Sequence, residues 1–320
     1  MTRLAWRLAR PNILSSVLLL AAVAVFAVLT RQAMTAFMHD SGLDACLAGN
    51  GDCGNLMQAF DMRFDTVTTV VKLLNVVPML IGVFWGGPLI ARELEQGTHR
   101  LVWTQSHGRG RWLAARLGVH LAGAAAVAAV FTQLMAWWFA PIERIQVEGT
   151  VLYGRLDPNV FDFRGIVPVA YAVFAFAVGA AAGALLRRTV PAMAVTLVLY
   201  LVTTVLVRVW REHFMAPLRS TYAFGVTDPR AGKGDWVLSH DTVDPTGALT
   251  TLAEVPAACR AQADHTATDA CLGGLGYQWA DTYQPIERFW TFQLIETGIF
   301  AGLAATALGF AAWWVVRKLA

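Results

Sequence analysis

The chain has 320 residues, of which 56% are hydrophobic and 15% charged, and a net charge of +3. Soluble domains carry about 25% charged residues, so this apolar excess, with a mean hydropathy of +0.50, excludes an ordinary water-soluble enzyme. Basic residues sit beside apolar runs, so the charge needs no nucleic acid to explain it.

Residues 1–11 read as a short amphipathic helix. Leu4 and Leu8 are four apart, Arg3, Arg7 and Arg10 recur on a helical period, and Trp6 suits an interfacial depth. Pro11 is expected to separate this interfacial elbow from the first crossing. A crossing helix needs about 20 apolar residues. Six runs qualify: 13–30, 73–91, 117–139, 165–186, 190–207 and 289–316. They are continuously apolar rather than alternating, which favours helices over a β-barrel. The first run is too long for the h-region of a signal peptide. Between the first two spans, 31–72 reads as a polar loop, with the turn-rich stretch Gly49-Asn50-Gly51-Asp52 between Cys46 and Cys53.

The second span runs into the most informative stretch, 92–116. It contains Arg92-Glu93-Leu94-Glu95-Gln96-Gly97-Thr98-His99-Arg100-Leu101-Val102-Trp103-Thr104 and then Arg109, Arg111 and Arg116. A glutamate pair, a Gly-Thr turn, an apolar-aromatic piece and a basic re-entry are unusual for a passive loop. Gly97 permits a tight turn, and Thr98 can cap a following helix.

Within the later spans, Gly179 and Gly183 suit close helix packing. Asn75, His120 and Gln133 are candidates for bonds between helices. Glu296 is an acid inside the sixth span, a functional candidate by default, although near the outer end it can instead snorkel or pair with Arg288 or Gln293. The segment 208–288 is expected to form a small external cap with limited helix, one helix falling within 246–263, and to carry Cys259 and Cys271. The chain ends with Tyr283-Gln284-Pro285, Arg288-Phe289-Trp290, Phe292-Gln293, Glu296-Thr297 and Trp313-Trp314 before Arg317 and Lys318.

With the N-terminus inside, the inside segments 1–12, 92–116, 187–190 and 317–320 hold 12 Lys and Arg in 45 residues. The outside segments 31–72, 140–164 and 208–288 hold 13 in 148. This is the positive-inside pattern, with both termini cytoplasmic. All four cysteines then face the oxidising side, where disulfides persist. Three pairings are possible; the local one, Cys46–Cys53 and Cys259–Cys271, is expected. A zinc site is the rival, but neither spacing is CxxC and only His265 lies near a pair.

The 86–116 stretch and the C-terminal signature resemble ABC-2 type transporter permeases, the membrane subunits of type V ABC exporters, and are similar to an actinobacterial group of them. The resemblance implies an all-α membrane protein of one transmembrane domain, 1–320, with an elbow helix and disulfide-pinned external loops. It implies a plasma-membrane exporter subunit that pairs with a second permease subunit, as homo- or heterodimer, and docks on a separate ATP-binding cassette ATPase. Glu93, Glu95, Gly97, Thr98, Arg100, Leu101, Trp103 and Thr104 would form that contact, and Glu296 and Gln293 a possible intramembrane polar site. ATP and Mg would be held by the partner subunit. No GxxxxGK[ST], HExxH, GxSxG or Rossmann glycine motif occurs, so no catalytic, metal or directly bound cofactor residues are expected. Two alternatives remain open. A non-transporting scaffold or sensory partner would share this topology. A membrane enzyme acting on lipids would need polar clusters at one depth, where Glu296 stands nearly alone.

Overall fold

The computed structural model describes the chain except residues 1, 50–52, 98–108, 148–149, 152–153, 225, 227–233, 251–253, 261–263 and 319–320. Six of the described helical stretches are long and apolar enough to cross a membrane. They are Ile13–Asp40, Gly54–Glu95, Leu113–Phe139, Val167–Leu186, Thr189–His213 and Ile286–Arg317.

Helix α1 (Thr2–Asp40) is unbroken. The expected separate elbow is therefore not a distinct element: residues 2–12 continue directly into the first span. Pro11 removes one helical donor, but membrane helices tolerate such a loss.

The expected loop 31–72 is a correction too, because it is largely helical. Helix α1 continues to Asp40, α2 spans Leu43–Ala48 and α3 spans Gly54–Leu73. The Cys46–Cys53 bridge, with a Cα–Cα distance of 5.9 Å, joins α2 to the start of α3. The reason is amphipathic spacing. Met57, Phe60, Phe64, Thr68 and Val71 recur every three or four residues and are buried. Phe37 packs edge-on against Phe60 and Phe64, at 6.0 and 5.8 Å between centroids.

The second passage is segmented. A 3-10 turn at Leu74–Val76 leads into α4 (Val77–Ile81), a π turn at Gly82–Gly86 and α5 (Gly87–Glu95). Pro78 and Pro88 sit at the starts of α4 and α5, where a missing donor is tolerated. The third span, α6 (Arg109–Phe139), is fixed to α1 by a Trp138 Nε1 to Thr30 Oγ1 bond of 2.9 Å and by Arg31 over the Trp137 ring at 4.2 Å.

After the short helix α7 (Pro158–Phe161), helix α8 (Val167–Leu186) is the hub, with 72% of its most apolar 18 residues buried. Its small residues let another backbone approach. A Cβ on Gly179 would lie 2.6 Å from the Gly82 carbonyl oxygen, and one on Gly183 would lie 2.6 Å from that of Gly87. The partners of the Gly179/Gly183 pair are thus the glycine-rich π turn and the start of α5 in the second passage. By contrast α9 (Thr189–Trp210) and α12 (Phe289–Arg317) each bury only 22% of the corresponding stretch, leaving broad apolar faces.

Ile13, Leu113 and Val315 share one apolar cluster, which places the first residues of the first and third spans and the last turn of α12 at one end of the bundle. The other end carries both disulfides and a cap. A short antiparallel pair, β1 (Gln146–Val147) and β2 (Thr150–Val151), precedes it in the chain; the cap of 208–288 has the limited helix expected, and its frame, which the sequence reading lacks, is a four-stranded antiparallel sheet of order β3-β6-β4-β5. Its strands are β3 (Leu218–Ala223), β4 (Trp236–Val243), β5 (Leu249–Thr250) and β6 (Gln278–Gln284). Among the described residues of the cap, helices α10 (Ala257–Arg260) and α11 (His265–Gly274) are tied by Cys259–Cys271. The second lies beyond the 246–263 window. Asp264 caps α11 by accepting from the Ala267 N–H at 2.7 Å.

The C-terminal signature clamps cap to bundle. Gln284 is fully buried and donates to the carbonyls of Glu212 and Met215. Arg288 donates to Gln284 Oε1 and to the Ala216 carbonyl, both at 2.7 Å.

Candidate functional site

Two polar sites lie at opposite ends of the bundle, and α9 connects them. At the N-terminal end, α5 stops at a turn where Gly97 takes a φ of 69°, and its N–H reaches the Leu94 carbonyl at 3.3 Å. Glu93 Oε1 meets Arg116 Nη1 at 2.5 Å, tying the second passage to α6. Glu95 Oε2 accepts from the Thr189 N–H at 3.0 Å and from Thr189 Oγ1 at 2.7 Å. Arg188, the N-cap residue of α9, makes no side-chain cap bond of its own. Glu95 therefore supplies the missing cap, with negative charge at the positive end of a helix dipole. The sequence marks both glutamates as surface contacts; in the fold both also hold membrane helices. Thr98, Arg100, Leu101, Trp103 and Thr104 lie outside the described residues.

At the disulfide end is a buried charge cluster. Asp162 follows the short helix α7 (Pro158–Phe161), Tyr171 sits on α8, Arg208 and Arg211 lie at the end of the fifth span, and Glu296 is on α12. The side chains of Asp162, Arg211 and Glu296 are at most 1% exposed. Arg211 spreads its fork over both acids. Its Nε donates to Glu296 Oε2 at 2.8 Å, and its Nη2 donates to Glu296 Oε1 at 3.0 Å and Asp162 Oδ1 at 2.5 Å. The guanidinium also sits 4.1 Å from the centre of the Phe161 ring. Arg208 reaches Asp162 Oδ2 at 2.7 Å, and Asn75 donates to the same oxygen at 3.4 Å. Tyr171 lies between the acids, bonded to Glu296 and 3.0 Å from Asp162 Oδ1.

Two acids and two arginines make the cluster neutral, so it is self-contained. It clasps the ends of α8, α9 and α12 together. This corrects two expectations. Glu296 pairs with Arg211 rather than with Arg288 or Gln293, and it does not stand alone at its depth.

Gln293 has its own task. Its Oε1 accepts from the Ile166 and Val167 N–H groups at 2.9 and 3.0 Å, capping α8. Gly165 turns with a φ of 69° just beside it, where a side chain would strike Gln293. Nearby, Glu143 bridges Arg164 and Arg155. Burial pulls the Arg164 guanidinium below its usual range, and the Glu143 carboxylate opposes that.

Of the other polar candidates, Asn75 does bond across elements, His120 is satisfied within its own helix by the Arg116 carbonyl at 2.9 Å, and Gln133 is exposed. Asp162, Tyr171, Arg208 and Arg211 escape the sequence reading. Their only signal is charge at predicted span edges, with Arg208 and Arg211 on the side where the positive-inside rule expects few basic residues. Among the described residues no group of three or more His, Cys, Asp or Glu is placed to hold a metal ion.

Comparison with known families agrees with this architecture. The family described as "ABC-2 membrane transporter related" matches residues 17–211. That range runs through five spans and ends on Arg211 of the buried cluster. Comparison with curated proteins and with solved structures gave no match. The family match covers more than half of the chain, and with six helices able to cross a bilayer the protein is a multi-pass membrane protein that belongs to the ABC-2 membrane transporter related family.

Proposed function

We propose that the chain is the permease subunit of an ATP-driven ABC exporter in the plasma membrane, with both termini cytoplasmic. A separate ATP-binding cassette protein binds ATP and Mg and performs the hydrolysis. The single observation that carries the reading is the double anchoring of α9. Its first turn is capped by Glu95, next to the candidate coupling segment, and the residue after its last turn, Arg211, is locked into the buried cluster.

The 22 residues of α9 span about 33 Å, and its flank is sparsely packed, so it can move as a rod. A displacement of the 92–116 segment by the ATPase passes through Glu95 to α9 and so to the clasp at the far end. In this reading Glu93, Glu95, Gly97, Thr98, Arg100, Leu101, Trp103 and Thr104 form the coupling contact, with Leu101 and Trp103 as its apolar knob. The apolar faces of α9 and α12 leave room for a second permease subunit.

The test is purification of the tagged protein from its own membranes in mild detergent, with co-purifying subunits quantified by mass spectrometry. A cassette ATPase is expected in about equal amount, and its recovery is expected to drop in a Leu101→Ala/Trp103→Ala variant. Glu95→Ala is expected to keep the ATPase bound while removing its stimulation by the permease. Absence of any cassette ATPase, both in detergent and in nanodiscs, would overturn the proposal.

A further inference from the structure

A cleft of 430 Å³ opens between α1, the α4–π segment and α6. Ten of its twelve lining residues are apolar; the two polar ones, Ser15 and Ser16, stand together at the N-terminal end of the bundle. Along α1 the lining runs from Ser15 to Val23, about 12 Å at 1.5 Å per residue. Its most exposed rim residues lie part-way along spanning helices rather than at their ends. Leu19 is 43% exposed there and Phe84 55%.

Phe84 owes that position to the π turn. Gly82 and Gly86 of the turn face α8 at backbone contact, Trp85 goes inward at 4% exposure, and Phe84 is left at the rim. Single π turns inside helices recur at functional sites.

Two physical arguments decide what fills the cleft. An apolar space of this size does not hold water stably, and left empty it would forfeit dispersion contacts along every wall. It lies within spanning helices, with Leu19 and Phe84 exposed at its rim, so hydrocarbon is the material that reaches it. The head end is also marked. Arg3, Arg7 and Arg10 precede Ser15 on the same unbroken helix, Arg10 by about 7.5 Å along the axis. These basic positions lie on the turns of α1 that lead up to the serine end of the cleft, the end at which the headgroup of a chain lying in it would sit.

We propose that this cleft is a binding site for one acyl chain of an anionic phospholipid, its headgroup at the serine end. The site is independent of the exporter reading, since it needs no ATPase.

The experiment uses the full chain in phosphatidylcholine nanodiscs with a minor fraction of phosphatidylglycerol carrying a mid-chain diazirine, and maps photo-cross-links by peptide mass spectrometry. Labelling is expected to concentrate on the peptides bearing Ser15–Val23 and Leu80–Trp85. It is expected to exceed that from a phosphatidylcholine diazirine probe, and to fall about tenfold when Val127→Trp fills the cleft. Ser16→Leu fills it from another helix and serves if Val127→Trp does not fold. Labelling spread evenly over the exposed faces of α9 and α12, or unchanged in both filled variants, would overturn the site. Cross-links between two copies through the cleft would assign it to a second subunit instead. Equal labelling by the two lipids would overturn its preference for an anionic headgroup.

Discussion

Replacing Arg211 with methionine tests the buried clasp most directly. The substitution keeps the apolar stem and removes the charge. Glu296 loses both of its guanidinium bonds, at 2.8 and 3.0 Å, and keeps Tyr171; Asp162 loses the 2.5 Å bond and keeps Arg208 at 2.7 Å. Both carboxylates are fully buried, so one negative charge is left uncompensated. Removing one partner of such a pair destabilises by about 3–5 kcal/mol. At roughly 2–4 °C per kcal/mol for a large domain, that is about 6–20 °C in apparent melting temperature.

Arg211→Met/Glu296→Leu removes the orphaned charge and is expected to recover more than half of that loss. The assay is fluorescence-detected size-exclusion after heating, in one detergent at fixed protein concentration. If the double variant melts no higher than Arg211→Met, the two groups are not coupled and the clasp argument fails. A wild-type melting curve for Arg211→Met would refute burial of the charge itself.

Four further outcomes follow from the same geometry. Gly179→Leu is expected to abolish the monodisperse folded species, because even a Cβ there meets backbone at 2.6 Å, whereas Gly302→Ala, with nothing within 4 Å, leaves elution unchanged. Glu95→Ala uncaps α9 and is expected to cost about 1 kcal/mol, read as faster amide exchange confined to the first turn after Thr189. Closing sequence separations of 7 and 12 residues, the two disulfides are each expected to contribute about 2–3 kcal/mol, measured as the melting shift of Cys46→Ser/Cys53→Ser and of Cys259→Ser/Cys271→Ser. In the β4–β5 turn, the Asp244 carboxylate accepts from Thr246 and from the Ala248 N–H, which holds it below the usual carboxylate range. A depressed folded value means the turn's added stability is present at neutral pH and lost as pH falls through that value. Ala248 amide protection is expected to drop with acid in the native chain and to lose that dependence in Asp244→Asn.

The structure also shows which sequence signals were sufficient. The polar composition of 31–72 suggested a loop, but the buried spacing of Met57, Phe60, Phe64, Thr68 and Val71 is a helical stripe readable in the sequence. The cap sheet was harder, because β4 and β6 pair across more than thirty intervening residues, and its strands show no clean alternation of buried and exposed positions. Glu296 and Gln293 were visible as polar groups in an apolar run, while their tasks were not. One needs Arg211 and Asp162, the other the first turn of α8, each brought in from distant sequence.

By itself the sequence determined that the chain has six helices able to cross a bilayer, because the length and apolarity a bilayer requires are local properties of the chain. The cysteine spacing likewise pointed to the two local disulfides that the structure forms. Only the tertiary structure decided which charges meet and which glycines touch. Burying Asp162, Glu296 and Arg211 is tolerable only where each neutralises another, and that depends on positions 49 to 134 residues apart converging at one depth.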